Sequence, residues 1–208
     1  MEEFYIPAGP GEAEFTEKRS RFLGHVRPVE NEEQARDFIA AMKKEYYDAR
    51  HNCWCYILRG GPERYSDDGE PQGTAGIPML EVFRREGVCN LVCVVTRYFG
   101  GVLLGAGGLL RAYTRSAKDA LDAAGISVVR PWTAAEIPCS YAMAERLKGE
   151  LMALGAIVQD MEYAQDVTIK VLVPKENFAA LSERIFDVSC GAVRPRAAGE
   201  SCRAVKIR

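Results

Sequence analysis

Three carboxylates in one glycine-rich stretch are the residues best suited to chemistry. The segment Tyr65–Leu80, here called the acidic turn, reads YSDDGEPQGTAGIPML and contains Asp67, Asp68 and Glu70. Together with His51 these carboxylates could form the acid–base unit of a hydrolase, with or without a divalent metal ion. Alternatively, they form ion pairs with arginines and hold the loops together. Both interpretations stay open at this point.

Two further requirements weaken the hydrolase interpretation. A hydrolase needs a nucleophile, but the sequence has no G-x-S-x-G elbow, and Ser66 is the nearest hydroxyl. The acidic turn also falls short of a calcium-loop pattern. His51, Cys53 and Cys55 alternate along a strand, a pattern more typical of small buried side chains than of metal ligands. We therefore predict neither a metal nor a cofactor.

A second glycine-rich segment, RYFGGVLLGAGGLLRAY from Arg97 to Tyr113, is here called the glycine-rich bend. Ala106 stands where a Walker A motif needs lysine, and Leu110 replaces the third glycine of the dinucleotide fingerprint. Free N–H groups at the following helix start, with Arg97 before and Arg111 after, could still hold one phosphate or carboxylate. Structural packing of the glycines is the alternative.

Basic residues are concentrated at two places in the chain. Lys18, Arg19 and Arg21 form one cluster. The second cluster lies near the C-terminus and contains Arg194, Arg196, Arg203, Lys206 and Arg208. The formal net charge is −2, so any polyanion binding must come from such local patches. A solvated charged face is the alternative for either cluster.

The composition indicates a soluble cytoplasmic protein. Of the 208 residues, 48% are hydrophobic and 27% charged, as in ordinary globular proteins. The seven cysteines are odd in number and form no CxxC pair, which favours reduced thiols over a disulfide framework. The acidic N-terminal segment with Pro7 does not resemble a signal peptide, and no apolar run approaches the length of a membrane span.

The elements that must position these residues can be predicted from local patterns. In the first half they are a helix capped by Asn31 and ending near Tyr47, a buried strand from His51, a helix over Pro78–Arg85 ended by Gly87, a strand over Leu91–Thr96, and a helix from about Gly107 to Gly125. Arg97 directly follows the strand LVCVVT. Thr74 is the predicted N-cap of the short helix.

The chain changes character at VRPW, residues 129–132, which predicts a joint between two domains, 1–130 and 131–208. In the second domain the predicted order is strand, helix, strand, strand, helix, strand, which is a ferredoxin-like split βαβ arrangement. From its own patterns, the first domain is either α/β or α+β.

At this point the residues resemble those of a known family. YSDDGEPQGTAG and VVTRYFGGVLLGAGGLLRAY resemble motifs of the IMPACT/YigZ family, and the segments EKRSRF and DARHNC resemble its other recurrent pieces. The resemblance covers roughly residues 4 to 124. It implies an α+β protein whose first domain is of the ribosomal-protein-S5 second-domain type, similar to domain IV of elongation factor G. The C-terminal domain would then be similar to domain V of that factor.

The resemblance also carries expectations about function. Eukaryotic members restrain the amino-acid-starvation kinase by competing for its ribosome-associated activator, and bacterial members are suspected of binding nucleic acid or the ribosome. The family offers no catalytic assignment. Its motifs match this sequence at Asp67, Asp68, Gly69, Glu70, Pro71, Gly73, Thr74, Gly76, Arg97, Tyr98, Gly100 and Gly101.

We therefore predict a non-catalytic, translation-associated regulator that binds RNA or the ribosome. The predicted contact residues are Lys18, Arg21, Arg50, Arg97, Tyr98, Gly100 and Gly101, with Tyr98 stacking on a base. One alternative is a hydrolase that uses His51, Asp67, Asp68 and Glu70, and another is a protein-binding adaptor. The predicted site requires that the acidic turn and the glycine-rich bend meet in space.

Overall fold

The computed structural model describes residues 3–208, which divide into two compact units. One unit contains residues 4–129 and 204–208, and the other contains residue 3 and residues 130–203. Helices and antiparallel strands are mixed in both units, so the fold is α+β, as predicted. The domain boundary between residues 130 and 131, and the likeness of the first domain to ribosomal protein S5, stay predictions.

The first unit is built on a five-stranded antiparallel sheet with the order β2-β3-β6-β4-β5. Its strands are β1 Phe4–Pro7, which lies outside this sheet, β2 Gly11–Glu17, β3 Ser20–Pro28, β4 His51–Ile57, β5 Glu63–Ser66 and β6 Leu91–Tyr98. The central strand β6 is buried from Leu91 to Arg97, as its apolar sequence predicts. The short strands β1 and β5 were not predicted.

Three helices cover the two faces of this sheet. They are α1 Glu32–Glu45, α2 Gly76–Glu86 and α3 Ala106–Ala124. Ile39 of α1 packs with Tyr56 and Val92 on one face, whereas α2 and α3 pack with Cys53 and Val95 on the other. The N-terminal cap of α1 is confirmed, because Asn31 Oδ1 accepts a 2.9 Å hydrogen bond from Gln34 N.

The start of α2 differs from the prediction. The cap position is Ala75 instead of Thr74, whose hydroxyl donates a 2.6 Å hydrogen bond to the Pro71 carbonyl. The reason is that Asp67, in the turn before the helix, accepts hydrogen bonds from the N–H groups at this helix start. The predicted end is confirmed, since Gly87 adopts the left-handed conformation with φ 67°.

The second unit has the predicted order of elements. They are β7 Ile126–Cys139, which begins in the first unit, then α4 Tyr141–Ala153, β8 Ile157–Tyr163, β9 Val167–Pro174, α5 Phe178–Val188 and β10 Arg196–Lys206. The strand order β10-β7-β9-β8 is that of a split βαβ fold. Ile137 and Ile169 pack there against Leu147 and Ile185.

None of the helices within residues 3–208 combines the length and the apolarity that crossing a lipid bilayer requires.

Candidate anion-binding site

The acidic turn and the glycine-rich bend meet at a buried ion pair. Arg97 Nη1 donates a 2.7 Å hydrogen bond to Glu70 Oε1, and the two side chains are only 6% and 3% exposed. Tyr113, at the far end of the bend, donates its hydroxyl to the same oxygen at 2.8 Å. The expectation that these two segments share one location is therefore confirmed.

The hairpin between β2 and β3 joins the same location through Ser20. Its hydroxyl accepts hydrogen bonds from Arg97 Nη2 at 3.2 Å and from Gly100 N at 3.3 Å. The two residues before Ser20, Lys18 and Arg19, turn the hairpin with left-handed φ values of 45° and 65°. This turn packs directly on the bend, because a Cβ atom on Gly100 would lie 2.0 Å from the Arg19 carbonyl.

Asp67 has a structural role in the acidic turn. Its Oδ2 accepts from Gly73 N at 2.8 Å, and its Oδ1 accepts from Ala75 N at 3.0 Å and Gly76 N at 2.8 Å. The carboxylate thus neutralises the partial positive charge at the start of α2 and satisfies N–H groups that have no partner within the helix. These hydrogen bonds involve both oxygens of the carboxylate.

Asp68 fixes the orientation of His51. Its carboxylate accepts from Lys43 Nζ at 2.6 Å and from Asn52 N at 2.7 Å, and its own carbonyl lies 2.9 Å from His51 Nδ1. Because a carbonyl oxygen can only accept, Nδ1 carries a hydrogen and donates it to this carbonyl. The other ring nitrogen, Nε2, then faces Glu70 Oε1 at 3.9 Å.

A cavity of about 370 Å³ opens above the Glu70–Arg97 pair. Its polar lining is formed by Arg50, His51, Glu70 and Arg97, together with the start of α3 at Gly105 and Ala106. Its apolar lining is formed by Pro71, Phe99, Leu103, Leu104, Ala106 and Leu109. Neither Asp67 nor Asp68 lines it, so the hydrolase alternative keeps only His51 and Glu70 at this cavity.

A second, smaller groove of about 230 Å³ lies beside the cavity and shares Leu104 with it. Lys18, Arg111 and Arg115 line this groove together with Phe15 and the acidic residue Glu17. Arg115 forms an ion pair with Asp119 at 3.2 Å. Lys18 and Arg111 have no ion-pair partner among the described residues, and neither has Arg50 in the first cavity.

Two of the predicted contact residues are held by other side chains. Arg21 forms a bidentate pair with Glu14 at 2.5 and 2.8 Å. The Tyr98 hydroxyl donates to Asp48 at 2.8 Å, and the Arg21 guanidinium lies 5.9 Å from the centre of the Tyr98 ring. Of the predicted set, Lys18, Arg50 and Arg97 line the two cavities, whereas Arg21, Tyr98, Gly100 and Gly101 do not.

The layer beneath the cavity contains polar residues that are neutral. Cys53 Sγ lies 3.4 Å from the Tyr113 hydroxyl and donates to the Asp67 carbonyl at 2.9 Å. Burial raises the pKa of the Cys53 thiol and, more strongly, that of Tyr113, whose pKa is raised further by Cys53 and Glu70. Cys53 is therefore a protonated thiol without the character of a nucleophile.

Sequence reasoning missed Ser20 and Tyr113 as members of the site. Strand register supplies the missing information, since Arg97 of β6 lies opposite Phe22 of β3 on one side and His51 of β4 on the other. Within residues 3–208 the structure contains no cluster of three or more His, Cys, Asp or Glu side chains suited to hold a metal ion.

Comparison with known proteins agrees with this architecture. The model of the Impact N-terminal domain matches residues 18–121, and that of a domain of unknown function, DUF1949, matches residues 137–192. IMPACT family member YvyE of Bacillus subtilis is 33% identical over 92% of this chain and 89% of its own length. IMPACT family member YigZ of Escherichia coli is 33% identical over 93% of this chain and 97% of its own length.

A solved crystal structure, described as that of a hypothetical protein, is also similar. It is 33% identical, has a TM-score of 0.59, and the alignment covers 96% of this chain and 98% of that one. The sequence motifs, the matched domains and the long relatives agree, and the chain belongs to the IMPACT/YigZ family.

Proposed function

We propose that the protein binds RNA, free or within the ribosome, and acts in translation or its control without catalysing a reaction. The observation that supports this most is a basic surface of four exposed cations around the hairpin, the cavity and α3. These cations are Lys18, Arg19, Arg50 and Arg111, and none has an ion-pair partner among the described residues.

Unpaired cations matter because they can exchange counterions for phosphates. A cation that already contacts a carboxylate must break that contact first, whereas a free one only loses water and salt ions. Arg97 is buried and paired with Glu70, so we assign it to positioning the bend instead of contacting an internal phosphate of the RNA chain. The RNA backbone would then lie across the hairpin turn and the first turns of α3.

The test is a salt series of affinities for a structured RNA and for purified ribosomes. We expect the affinity for RNA to fall steeply as the salt concentration rises. The double variant Lys18→Ala/Arg111→Ala should reduce the slope of log K against log salt concentration by about 0.7–0.9 for each cation removed. Lys44→Ala is the matched control, because Lys44 lies on α1, on the opposite face of the sheet. Absence of RNA binding at low salt, or an equal change of slope for each cation removed in the control, would contradict the proposal.

A hydrolase remains the second candidate, supported by one feature. His51 presents Nε2 toward Glu70 at 3.9 Å, and both residues line the cavity. A histidine held by a carbonyl and facing a carboxylate is a geometry that general acid–base catalysis uses. Turnover of a panel of phosphate esters and amides that is lost in His51→Gln, with RNA affinity retained, would favour this candidate.

A further inference from the structure

We propose that the cavity above the Glu70–Arg97 pair binds one small organic anion, a phosphate monoester on an apolar or planar body. Either a free metabolite-sized molecule or the phosphorylated end of an RNA strand has this chemistry. The inference goes beyond the RNA proposal, because a free molecule satisfies it.

The anionic head has donors at the start of α3. This helix has 19 residues, and its first backbone hydrogen bond runs from Leu109 N to Gly105 O. The N–H groups of Ala106, Gly107 and Gly108 therefore have no partner within the helix and point toward its N-terminal end. Partial positive charge accumulates there and favours an anion.

Arg97 supplies an independent observation. Its Nη atoms are paired with Glu70 and Ser20, but its Nε is buried without a hydrogen-bond partner among the described residues. The residue is only 5% exposed and lines the same cavity. Buried donors are normally satisfied, so an acceptor atom that enters the cavity would complete this guanidinium.

The charge balance of the cavity favours an anion over a cation. Among the described residues that line it, Glu70 is the only carboxylate, and it accepts hydrogen bonds from Arg97 and Tyr113. The positive charge of Arg97 balances the negative charge of Glu70. Arg50 then gives the cavity a net positive charge, even when His51 is neutral. Arg50 is exposed and can follow the ligand, since within residues 3–208 its guanidinium lies against no group other than the Phe99 ring, 5.9 Å from the ring centre.

The remaining walls fit an apolar or planar body. Phe99, Leu103, Leu104 and Leu109 line the cavity, and its volume of about 370 Å³ lies within the range of about 300–1,000 Å³ that small-molecule sites occupy. A phosphate beside Arg97 lies deep in the site. A monoester carries one organic group, so its phosphate can enter the cavity and reach Arg97. An internal diester carries a nucleotide on each side of its phosphate, and both nucleotides would have to stay outside the cavity.

The test uses the full chain, labelled with nitrogen-15 and titrated with phenyl phosphate. We expect saturable shifts of the amides at the start of α3, no such shifts with neutral benzyl alcohol, and at least about tenfold weaker binding of inorganic phosphate, which lacks the apolar body. Arg50→Ala should weaken phenyl phosphate about fivefold or more, because a charge-assisted contact is lost.

Leu103 provides a pair of variants that separates charge from shape. The side chain is 81% exposed, so both Leu103→Glu and Leu103→Gln should fold normally. We expect Leu103→Glu to weaken phenyl phosphate about tenfold relative to Leu103→Gln, because a carboxylate at the cavity repels the anion. Equal binding by the two variants, or no binding of phenyl phosphate by the unmodified protein, would overturn the proposal.

The two sources of the ligand are distinguished with adenosine 5′-monophosphate and with short RNAs that differ only in a 5′-phosphate. If the 5′-phosphate raises the affinity for RNA and Leu103→Glu abolishes this gain, the ligand is the end of a strand. If the mononucleotide binds and the 5′-phosphate of the RNA has no effect, the ligand is a free molecule. Lys18 lines the second groove and not this cavity, so Lys18→Ala should weaken RNA binding while phenyl phosphate binding stays unchanged. Failure of this inference and failure of the RNA proposal are therefore separable.

Discussion

Asp67 and Glu70 are neighbours in sequence but have different roles. Asp67 accepts hydrogen bonds from three backbone N–H groups at and before the start of α2, whereas Glu70 holds Arg97 at the edge of a cavity. The sequence identified the carboxylates as a group, but it did not separate them. Their roles depend on which backbone atoms the fold brings to each one, and that information is not local.

Removing the Asp67 carboxylate should destabilise the acidic turn. We expect Asp67→Ala to lower the free energy of unfolding by about 2 kcal/mol or more, because three N–H groups lose a charged acceptor. Asp67→Asn should cost less, since its amide oxygen can still accept. Urea denaturation measures both, and a loss below about 0.5 kcal/mol in Asp67→Ala would contradict the structural role.

The β2–β3 hairpin packs against the glycine-rich bend at Gly100. A Cβ atom at this position would lie 2.0 Å from the Arg19 backbone, so Gly100→Ala should cost about 1–3 kcal/mol of stability through overpacking. The matched control is Gly107→Ala in the first turn of α3, where the nearest atom to a Cβ lies at 3.7 Å.

We expect the control to be neutral or slightly stabilising, because alanine favours helix. Thermal unfolding of the two variants checks the contrast, and a neutral Gly100→Ala would mean that the hairpin does not contact the bend as described.

At the scale of elements, local signals located most of the structure. Asn31 predicted the start of α1, Gly87 predicted the end of α2, and the apolar run of β6 predicted its central position. The strands β1 and β5 were missed because they are four residues long, and their identity comes from the strands they pair with. Register between strands, which places His51 opposite Arg97, was likewise not readable from composition.

The C-terminal residue is attached to α2 by a pH-sensitive contact. Arg208 Nη2 donates to Glu86 Oε2 at 2.8 Å, and this hydrogen bond lowers the pKa of Glu86 below its ordinary value of 4.5, with help from Lys118. The carboxylate therefore contributes stability above that ordinary value, and the contribution is lost as the pH falls through the lowered pKa.

We expect Glu86→Gln to lower the free energy of unfolding by about 0.5–1 kcal/mol at neutral pH, a small amount because Arg208 is half exposed and solvent screens the pair. The difference from the unmodified protein should disappear in acid, below the folded pKa of Glu86. Denaturation at several pH values measures this, with Glu33→Gln on α1 as a control. A difference that persists in acid would exclude the ion pair as its cause.

At the scale of the whole molecule, the second unit was predicted more completely than the first. Its elements follow one another with clear periodicity, and β9 alternates the buried residues Val167, Ile169, Val171 and Val173. The first unit depends on contacts distant in sequence, such as Arg97 with Ser20 and Glu70. We propose that the two units correspond to the predicted domains, 1–130 and 131–208.

Basic residues occur in both units, so the location of RNA binding is itself a prediction. The unpaired cations of the hairpin, the cavity and α3 belong to the first unit, whereas Arg194, Arg196 and Arg203 belong to the second. The cations of the first unit line two adjacent grooves, at Lys18, Arg50 and Arg111. We therefore expect the first unit to supply most of the phosphate contacts.

We propose that RNA contacts the surface formed by the two segments that meet at Glu70 and Arg97. Mapping of backbone amide shifts in the full chain, during titration with a structured RNA at low salt, tests it most directly. We expect the largest shifts within residues 18–21, 97–101 and 104–115. Shifts confined to the C-terminal segment 194–208, or no shifts at any residue, would contradict it.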